Sequence, residues 1–592
     1  MRTFGIVLVA AAALSASAAN AADLPTKKAV EAPTAKPNCW SSFWTWLNSS
    51  ADDCPIGAYG ITFYGTLDVG YGYQEWGARL DPSPDKLNYG LAKSGHEHIW
   101  QPVYNGLSTS NLGLKMKEDL APVGLPGWAL VGVLEAGINP YSGLFSNGPR
   151  SLVDQNFYSA NGISTVTIGK TKYTVYNTWQ KTNFDSSRAG QWDNAQGYIG
   201  VSSNTWGTLT FGRTNSLSFD TLSKYDPISS NAFSQIGFSN SFPGFGNTEL
   251  VRINTALTYK VSIPNVYTFS AVRLAGQAQI GGYGVGNGAT SAYYGQLGFD
   301  WGGFSFDGVA GYAQNAVSLS SYGGSYTACG PNNSQISQSY GFIPGSGCYA
   351  ANQILKATLS NNWGTQLTAS YKWDRWRFYG GYIYANLANP SDAYAGGFET
   401  IASGIFVPAG AVTSTAYPLS NGTFAAPSYA FNKVLQTIWT GFRYSVPDEW
   451  MHGWGSLDLA AGFYYQWQNN YNSNWNTGKI HGVPYGYATA AACAYSGAYT
   501  ASVDANGVIG SFGSGGKCDG VLDAISLFLD WKPVKRVDIY AGVMVQNVYG
   551  GLAAGYLNNT WYVGPKGSVI VAPVQHAFTQ NYDPTIGIRV RF

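Results

Sequence analysis

The sequence has 592 residues, with 33 Lys+Arg against 32 Asp+Glu, a formal net charge of +1, only 11% charged residues, 15% aromatic residues and 74 glycines. So neutral a chain offers no basic field to attract nucleic acid. A water-soluble domain carries about 25% charged residues, so part of this surface must face something other than water.

The first element, over 1–21, places one positive charge at Arg2 before an apolar stretch from Ile6 to Ala13 and the small-residue site Ala19-Asn20-Ala21. That is the pattern of a cleaved export signal, and losing Arg2 leaves the mature chain neutral. No later segment offers the roughly 18 consecutive apolar residues of a transmembrane helix, so any membrane span must be made of strands.

Residues 22–58 read as a periplasmic N-terminal extension. Its first part, 22–37, is rich in Pro, Lys and Ala and has the composition of a flexible tether. Trp40, Phe43, Trp44 and Leu47 then fall at the spacing of one helical face, between Cys39 and Cys54. The expectation is a short disulfide-stapled helix that lies on the inner leaflet or the periplasmic rim, or packs on its own barrel. The other cysteines also form close pairs in polar segments, Cys329 with Cys348 and Cys493 with Cys518. An oxidising compartment permits three local bridges, whereas the compact Cys or His spacings of a zinc site are absent.

From 59 to 592 the chain alternates between segments of period-two hydrophobicity and long stretches rich in Gly, Asn, Ser and Tyr. Period two means strand. The predicted strands are 59–73, 109–119, 127–137, 194–202, 207–214, 251–261, 265–274, 291–301, 304–314, 364–373, 376–386, 433–446, 455–467, 522–531, 536–546 and 582–592. The last shows the pattern best, with Ile586, Ile588, Val590 and Phe592 on one face and Gly587, Arg589 and Arg591 on the other. Connections are very short on one side, at 203–206, 262–264, 302–303, 374–375 and 532–535, and run to tens of residues on the other. Tyr71, Tyr73, Trp301, Trp373, Trp376, Trp467 and Trp531 sit at strand ends on the apolar parity, where aromatic girdles meet the two lipid–water boundaries. The fold class expected is therefore all-β, a transmembrane antiparallel barrel of about sixteen strands with short periplasmic turns and long extracellular loops.

Four stretches go further. They are Ile61-Thr62-Phe63-Tyr64-Gly65-Thr66-Leu67-Asp68, Asn111-Leu112-Gly113-Leu114-Lys115 before Glu118-Asp119, Gly207-Thr208-Leu209-Thr210-Phe211-Gly212-Arg213, and the terminal Phe592. With these the chain, from about 61 to 592, resembles the general porins of Gram-negative bacteria. The resemblance implies an outer-membrane homotrimer among lipid and lipopolysaccharide, with no cofactor, passing small hydrophilic solutes and ions by diffusion. It also implies a third loop folded into each barrel and a terminal aromatic residue, here Phe592, read by the barrel-assembly machinery.

In such a pore the working residues set the width and field of the narrowest point. The third long loop, 215–250, carries Asp220, Asp226 and Glu249. Arg213 and Arg252 match basic wall positions of the family, and Glu135 matches a wall carboxylate expected to pair with a neighbouring base. Arg252 alternates with Val251 and Ile253 and should face water; Arg213 points inward only if its strand bulges at Gly212. Where the family often has a base, this chain has Asn111, although Lys115 and Lys117 share its inward parity. The family's acidic Pro-Glu-Phe-Gly-Gly-Asp stands here as Pro243-Gly244-Phe245-Gly246-Asn247, so no cation preference carries over. Lys372, Arg377 and Arg443 also have water-facing parity, at a depth that parity does not give.

Other functions find less support. His96, His98, His452, His481 and His576 fall in expected loops or turns without a catalytic partner, and His96-Glu97-His98 reads as solvated loop rather than a metal site. The run 281–288 lacks the lysine of a phosphate-binding loop. A substrate-specific sugar channel guided by some of the 42 tyrosines, and a surface adhesion or structural barrel, remain the alternatives to a general pore.

Overall fold

The computed structural model describes residues 39, 41–50, 53–77, 97–104, 106–138, 140–141, 143, 163–168, 171–177, 196–229, 233–236, 252–280, 291–314, 361–388, 432–470, 479–480, 483–484, 494–495, 499–502, 516–517, 519–550, 560–563, 568–571 and 578–592. The export signal, the tether, Glu249, 243–247 and the pairs Cys329/Cys348 and Cys493/Cys518 lie outside them.

Sixteen strands form the wall: β1 Ile61–Gly77, β2 Asn111–Asp119, β3 Trp128–Gly137, β4 Gly197–Ser203, β5 Gly207–Asn215, β6 Arg252–Val266, β7 Phe269–Gln279 and β8 Ser291–Trp301, then β9 Phe304–Gln314, β10 Asn361–Trp373, β11 Trp376–Ala388, β12 Lys433–Ser445, β13 Ser456–Gln468, β14 Gly520–Val534, β15 Val537–Gly550 and β16 Thr585–Arg591. Each pairs antiparallel with the next, and β16 closes the ring on β1 from Thr66↔Arg591 to Gly72↔Thr585. Closure removes the sheet edge, so every strand finds both hydrogen-bonding neighbours.

The two faces of the wall invert the pattern of a water-soluble protein. Ile199, Phe211, Leu297, Leu367, Ile438, Phe463, Ile525 and Ile586 are exposed on one parity, while Asn362, Gln366, Thr437, Ser526 and Gln546 are fully buried on the other. An apolar outer belt around a polar interior suits strands crossing a hydrocarbon layer. The expected girdle residues Tyr71, Trp301 and Trp373 are on the exposed face, and Trp376 packs on Phe442 and Tyr444 beside them. No helix among the described residues is long and apolar enough to cross a membrane.

Several boundaries differ from the sequence reading. The turn expected at 262–264 lies at 267–268, because Pro264 continues β6 opposite Ala271 and the chain reverses beyond Val266↔Phe269. The turn expected at 532–535 is 535–536, with β14 running to Val534. The segment around His98, expected as loop, is a strand, Glu97–Tyr104, paired with β1 from Val69↔Tyr104 to Gly77↔Glu97. Thus β1 changes partner along its length, meeting β2 only over 61–66. Residues read as aperiodic loop also pair: Ile163–Ile168, Thr171–Asn177, Tyr499–Ser502, Thr560–Val563 and Ser568–Val571 make a separate five-stranded sheet drawn from three long connections.

The N-terminal staple is present, held by the Cys39–Cys54 bridge with α1, Phe43–Leu47. Ser42 caps the helix by accepting from the Thr45 amide, and Ser50 donates to Asp53 at 2.6 Å, which holds that carboxyl below the usual range. Of the expected apolar face only its end docks: Leu47 is buried, whereas Phe43 and Trp44 are 67% and 68% exposed. The anchor is Arg536, in the turn after β14. Its Nε donates to Trp46 O at 2.8 Å, its Nη2 donates to Ser50 O and Cys54 O at 3.0 and 2.6 Å, and its guanidinium lies 4.3 Å from the Trp46 ring centre. Three carbonyls at the end of a one-turn helix and along its exit share a charged donor there. Beyond the staple, Ile56–Ala58 pairs with β1 just below the point where Phe592 exchanges two 3.0 Å backbone hydrogen bonds with Gly65, so it continues the line of β16. Phe592 packs on Phe63 with ring centres 5.6 Å apart.

Candidate functional site

The segment after β5 turns across the polar face of the wall. Ser216 starts α2, Leu217–Tyr225, by accepting from the Phe219 amide. Asp220 in the first turn and Lys224 in the last complement the helix dipole. Leu217, Leu222 and Tyr225 are fully buried against the wall, each worth about 1.5–3 kcal/mol on removal from water.

Polar contacts fix the rest of the segment to strands far away in sequence. Ser218 donates to Gln366 Oε1 on β10 at 2.8 Å, and Trp439 Nε1 on β12 donates to Tyr225 O at 3.1 Å. Arg443 donates to Pro227 O and Ser229 Oγ at 3.0 and 2.7 Å. Further along, Ser526 on β14 donates to Phe233 O at 2.5 Å, and Gln235 donates to Gln466 Oε1 on β13 at 3.2 Å. Small wall residues admit this packing: a Cβ on Gly381 or Gly542 would collide with the Trp439 or Phe233 ring.

One carboxylate organises the helix end. Asp307 on β9, 1% exposed, accepts from Tyr225 Oη at 2.6 Å, and from Lys224 Nζ, Arg273 Nε and Gln296 Nε2 at 3.0 Å each. Arg273 on β7 also bridges Asp300 at 2.5 Å. None of these residues stood out in the sequence, since a lone Asp or Arg on the water-facing parity of a strand carries no mark of its partner.

The residues singled out from sequence do not form one cluster. Glu135 is buried, but its partner is the Tyr64 hydroxyl, donating at 2.8 Å, and not a base. Arg252 is 6% exposed and acts electrostatically on that phenol. Asp220 acts with Glu135 on Tyr198 of β4, which brings Glu135, Arg252 and Asp220 into one neighbourhood. Lys260 on β6 bridges Asp220 at 2.5 Å, and Asn215 donates to its other oxygen at 2.9 Å. Lys115 lies two residues below, opposite Thr62 and Val133, while Lys117 is exposed near the short-turn rim. Asp226 is on another side of the barrel, buried, and accepts from Tyr464 Oη on β13 at 2.6 Å.

The parity argument for the two arginines meets a bulge. Between β5 and β6 the register shifts between Ile253↔Thr214 and Ala256↔Gly212, so the extra residue is on β6, with Thr255 at φ 47° and Gly212 facing it at φ 140°. The pairing of β5 with β4 runs through Gly212 unbroken. Above the bulge it is Ile253, not Arg252, that lies opposite Thr214, whose hydroxyl meets Thr258 and Gln277 on the polar face. Arg213 keeps the parity of Leu209 and Phe211, yet is 8% exposed. A one-residue insertion reverses every side chain beyond it, and the sequence shows no trace of it. Among the described residues no group of three His, Cys, Asp or Glu is placed to hold a metal.

The sequence model of the Gram-negative porin family matches residues 8–403. Among solved structures, the anion-selective porin from Comamonas acidovorans is similar at 13% identity and a TM-score of 0.43, over 90% of this chain and 99% of that one. OmpT of Vibrio cholerae is similar at 13% identity and 0.40, over 90% and 99%. The outer membrane channel DcaP of Acinetobacter baumannii follows at 12% and 0.39, over 90% and 97%. Among curated proteins none matches.

Proposed function

The chain belongs to the Gram-negative porin family, and from that premise we propose that its barrel is a water-filled outer-membrane channel narrowed by the segment 216–236, through which small hydrophilic solutes diffuse passively. The observation that carries this reading is the packing of α2 and its continuation on the polar face of β7 to β15. The segment therefore stands on one side of the lumen, and the polar face of β1 to β6 lines the other. Solutes passing between them meet fixed charges gathered beside β6, Lys260 with Asp220 and, close by, Glu135 with Arg252.

Such a constriction does no covalent chemistry. It excludes by width and orients by field, since opposed fixed charges favour polar solutes over apolar ones. Because Asp220, Asp226 and Asp307 are each engaged by a donor, the reading assigns no strong cation preference. Glu249, outside the described residues, belongs to the same proposed constriction, as do Arg213 and Lys115 of the wall, while Lys117 stands nearer the short-turn rim.

Around the channel, 1–21 serves as the export signal and 22–58 as a periplasmic extension ending in the staple on Arg536, with 59–592 forming the barrel. Phe592, at the seam with β1, serves as the assembly signal. The working unit is a homotrimer set in lipid and lipopolysaccharide. Proteoliposomes carrying the refolded protein are expected to swell in isotonic sugars at rates that fall steeply with solute size and do not saturate with concentration. Swelling no faster than in protein-free liposomes would remove the channel reading, and saturation by one sugar would replace general diffusion with specific transport.

A further inference from the structure

Most water-facing cations of the described wall have a fixed partner. Lys224, Lys260, Arg273, Lys532, Arg589 and Arg591 each sit within ion-pair distance of a carboxylate. Lys372 and Arg377 do not, among the described residues, and both are exposed. Register places them together: Lys372 on β10 is directly opposite Arg377 on β11, which is directly opposite Arg443 on β12. Three cations thus stand side by side across three strands, with Cβ atoms about 5 Å apart.

Like charges facing each other across a sheet are destabilising, so three in a row need a compensating negative charge. The nearby acid of β13, Asp458, bonds Lys532 Nζ at 3.0 Å and Ser445 Oγ at 2.7 Å and acts at longer range on Arg443, which leaves Lys372 and Arg377 as the uncompensated pair among the described residues. Asp374, in the turn between β10 and β11, forms no ion pair with either exposed cation among the described residues. Arg443 is fixed from above through Pro227 O and Ser229 Oγ, and its Nε is buried with no acceptor. The arc lies beside the short turn 374–375, just below the inward segment.

We propose that Lys372, Arg377 and Arg443 form a binding arc at the short-turn mouth for a soluble phosphate-class oxyanion, either inorganic phosphate or the phosphate group of a monoester. A guanidinium presents a planar fork of donors that matches two phosphate oxygens, and an ammonium adds a mobile point charge. A divalent oxyanion neutralises such an arc more fully than chloride does. The inference deepens the channel reading and rests on it for the route by which the anion arrives.

Two measurements on the refolded full-length protein test it. Phosphorus NMR in detergent reads inorganic phosphate binding directly, without requiring conduction. Planar-bilayer current in dilute potassium chloride reads phosphate block from each side, with chloride at matched ionic strength as the control. The double variant K372Q/R377Q is expected to weaken phosphate binding roughly tenfold and to relieve block from the short-turn side. Arg377→Lys, which keeps the charge, is expected to stay within about threefold of wild type. Gel mobility before and after heating confirms that each variant keeps the folded barrel. Wild-type affinity in the double variant overturns the arc, as does phosphate acting no differently from chloride. Phosphate binding without conduction sustains the arc while removing the channel reading.

Discussion

Replacing Asp307 by alanine is expected to loosen the end of α2 from the wall and produce larger, noisier single-channel currents while the barrel itself stays folded. The carboxylate is 1% exposed and holds Lys224, Tyr225, Arg273 and Gln296 at once. Removing one member of a buried charged cluster costs about 3–5 kcal/mol, because the partners stay desolvated without their counter-charge. The wall pairings of β8, β9 and β10 are backbone ladders and do not depend on this side chain. The loss therefore falls on the end of α2, while Ser218 with Gln366 and Asp220 with Lys260 still hold its start and Trp439, Tyr464 and Ser526 hold the segment farther along. Lys224→Gln is the control: that side chain is 43% exposed, and an exposed pair is worth about 1 kcal/mol or less. Wild-type conductance and noise in Asp307→Ala would show that the segment is held without this cluster.

Asp68→Ala is expected to lower the resistance of the barrel to heat. Between Tyr104 and Asn111 the neighbour of β1 is interrupted, and Asp68 fills the gap by accepting from the Leu107 and Ser108 amides at 2.7 and 3.0 Å and from Tyr540 Oη at 2.6 Å. It is fully buried. Alanine leaves two amides and a phenol without an acceptor, at about 1–3 kcal/mol each, close to where β16 closes on β1. Asn at this position keeps one carbonyl oxygen and should recover part of the loss. The temperature at which the compact barrel loses its gel mobility reads the effect. An unchanged temperature in Asp68→Ala would mean that water satisfies these groups and the gap carries no strain.

The wall was legible in the sequence because two different solvents act on it. Lipid on one face and water on the other impose period two on every strand, and all sixteen expected strands are present, closed into one antiparallel ring. What parity left open was anything that depends on a single residue of register. The insertion at Thr255 puts Ile253, and not Arg252, opposite Thr214. The turn near Pro264 slipped from 262–264 to 267–268, since a proline with no amide to give can still extend a strand beside a turn.

The site was legible in part and for a different reason. Family resemblance pointed to the segment carrying Asp220 and Asp226, but the partners that hold it are scattered from β6 to β15 and meet only through closure. Asp307 and Trp439 are 82 and 214 residues from Tyr225, which they bind. The trio Lys372, Arg377 and Arg443 had the right parity from the start; only the register showed that the three are neighbours.

The central claim is that the polar interior of this barrel is an open, passive path for ions beside the inward segment. Planar-bilayer recording of the refolded protein tests it most directly. Stepwise insertion is expected, with a current linear in voltage and conductance that rises in proportion to salt concentration. A folded, inserted barrel that passes no current would contradict it.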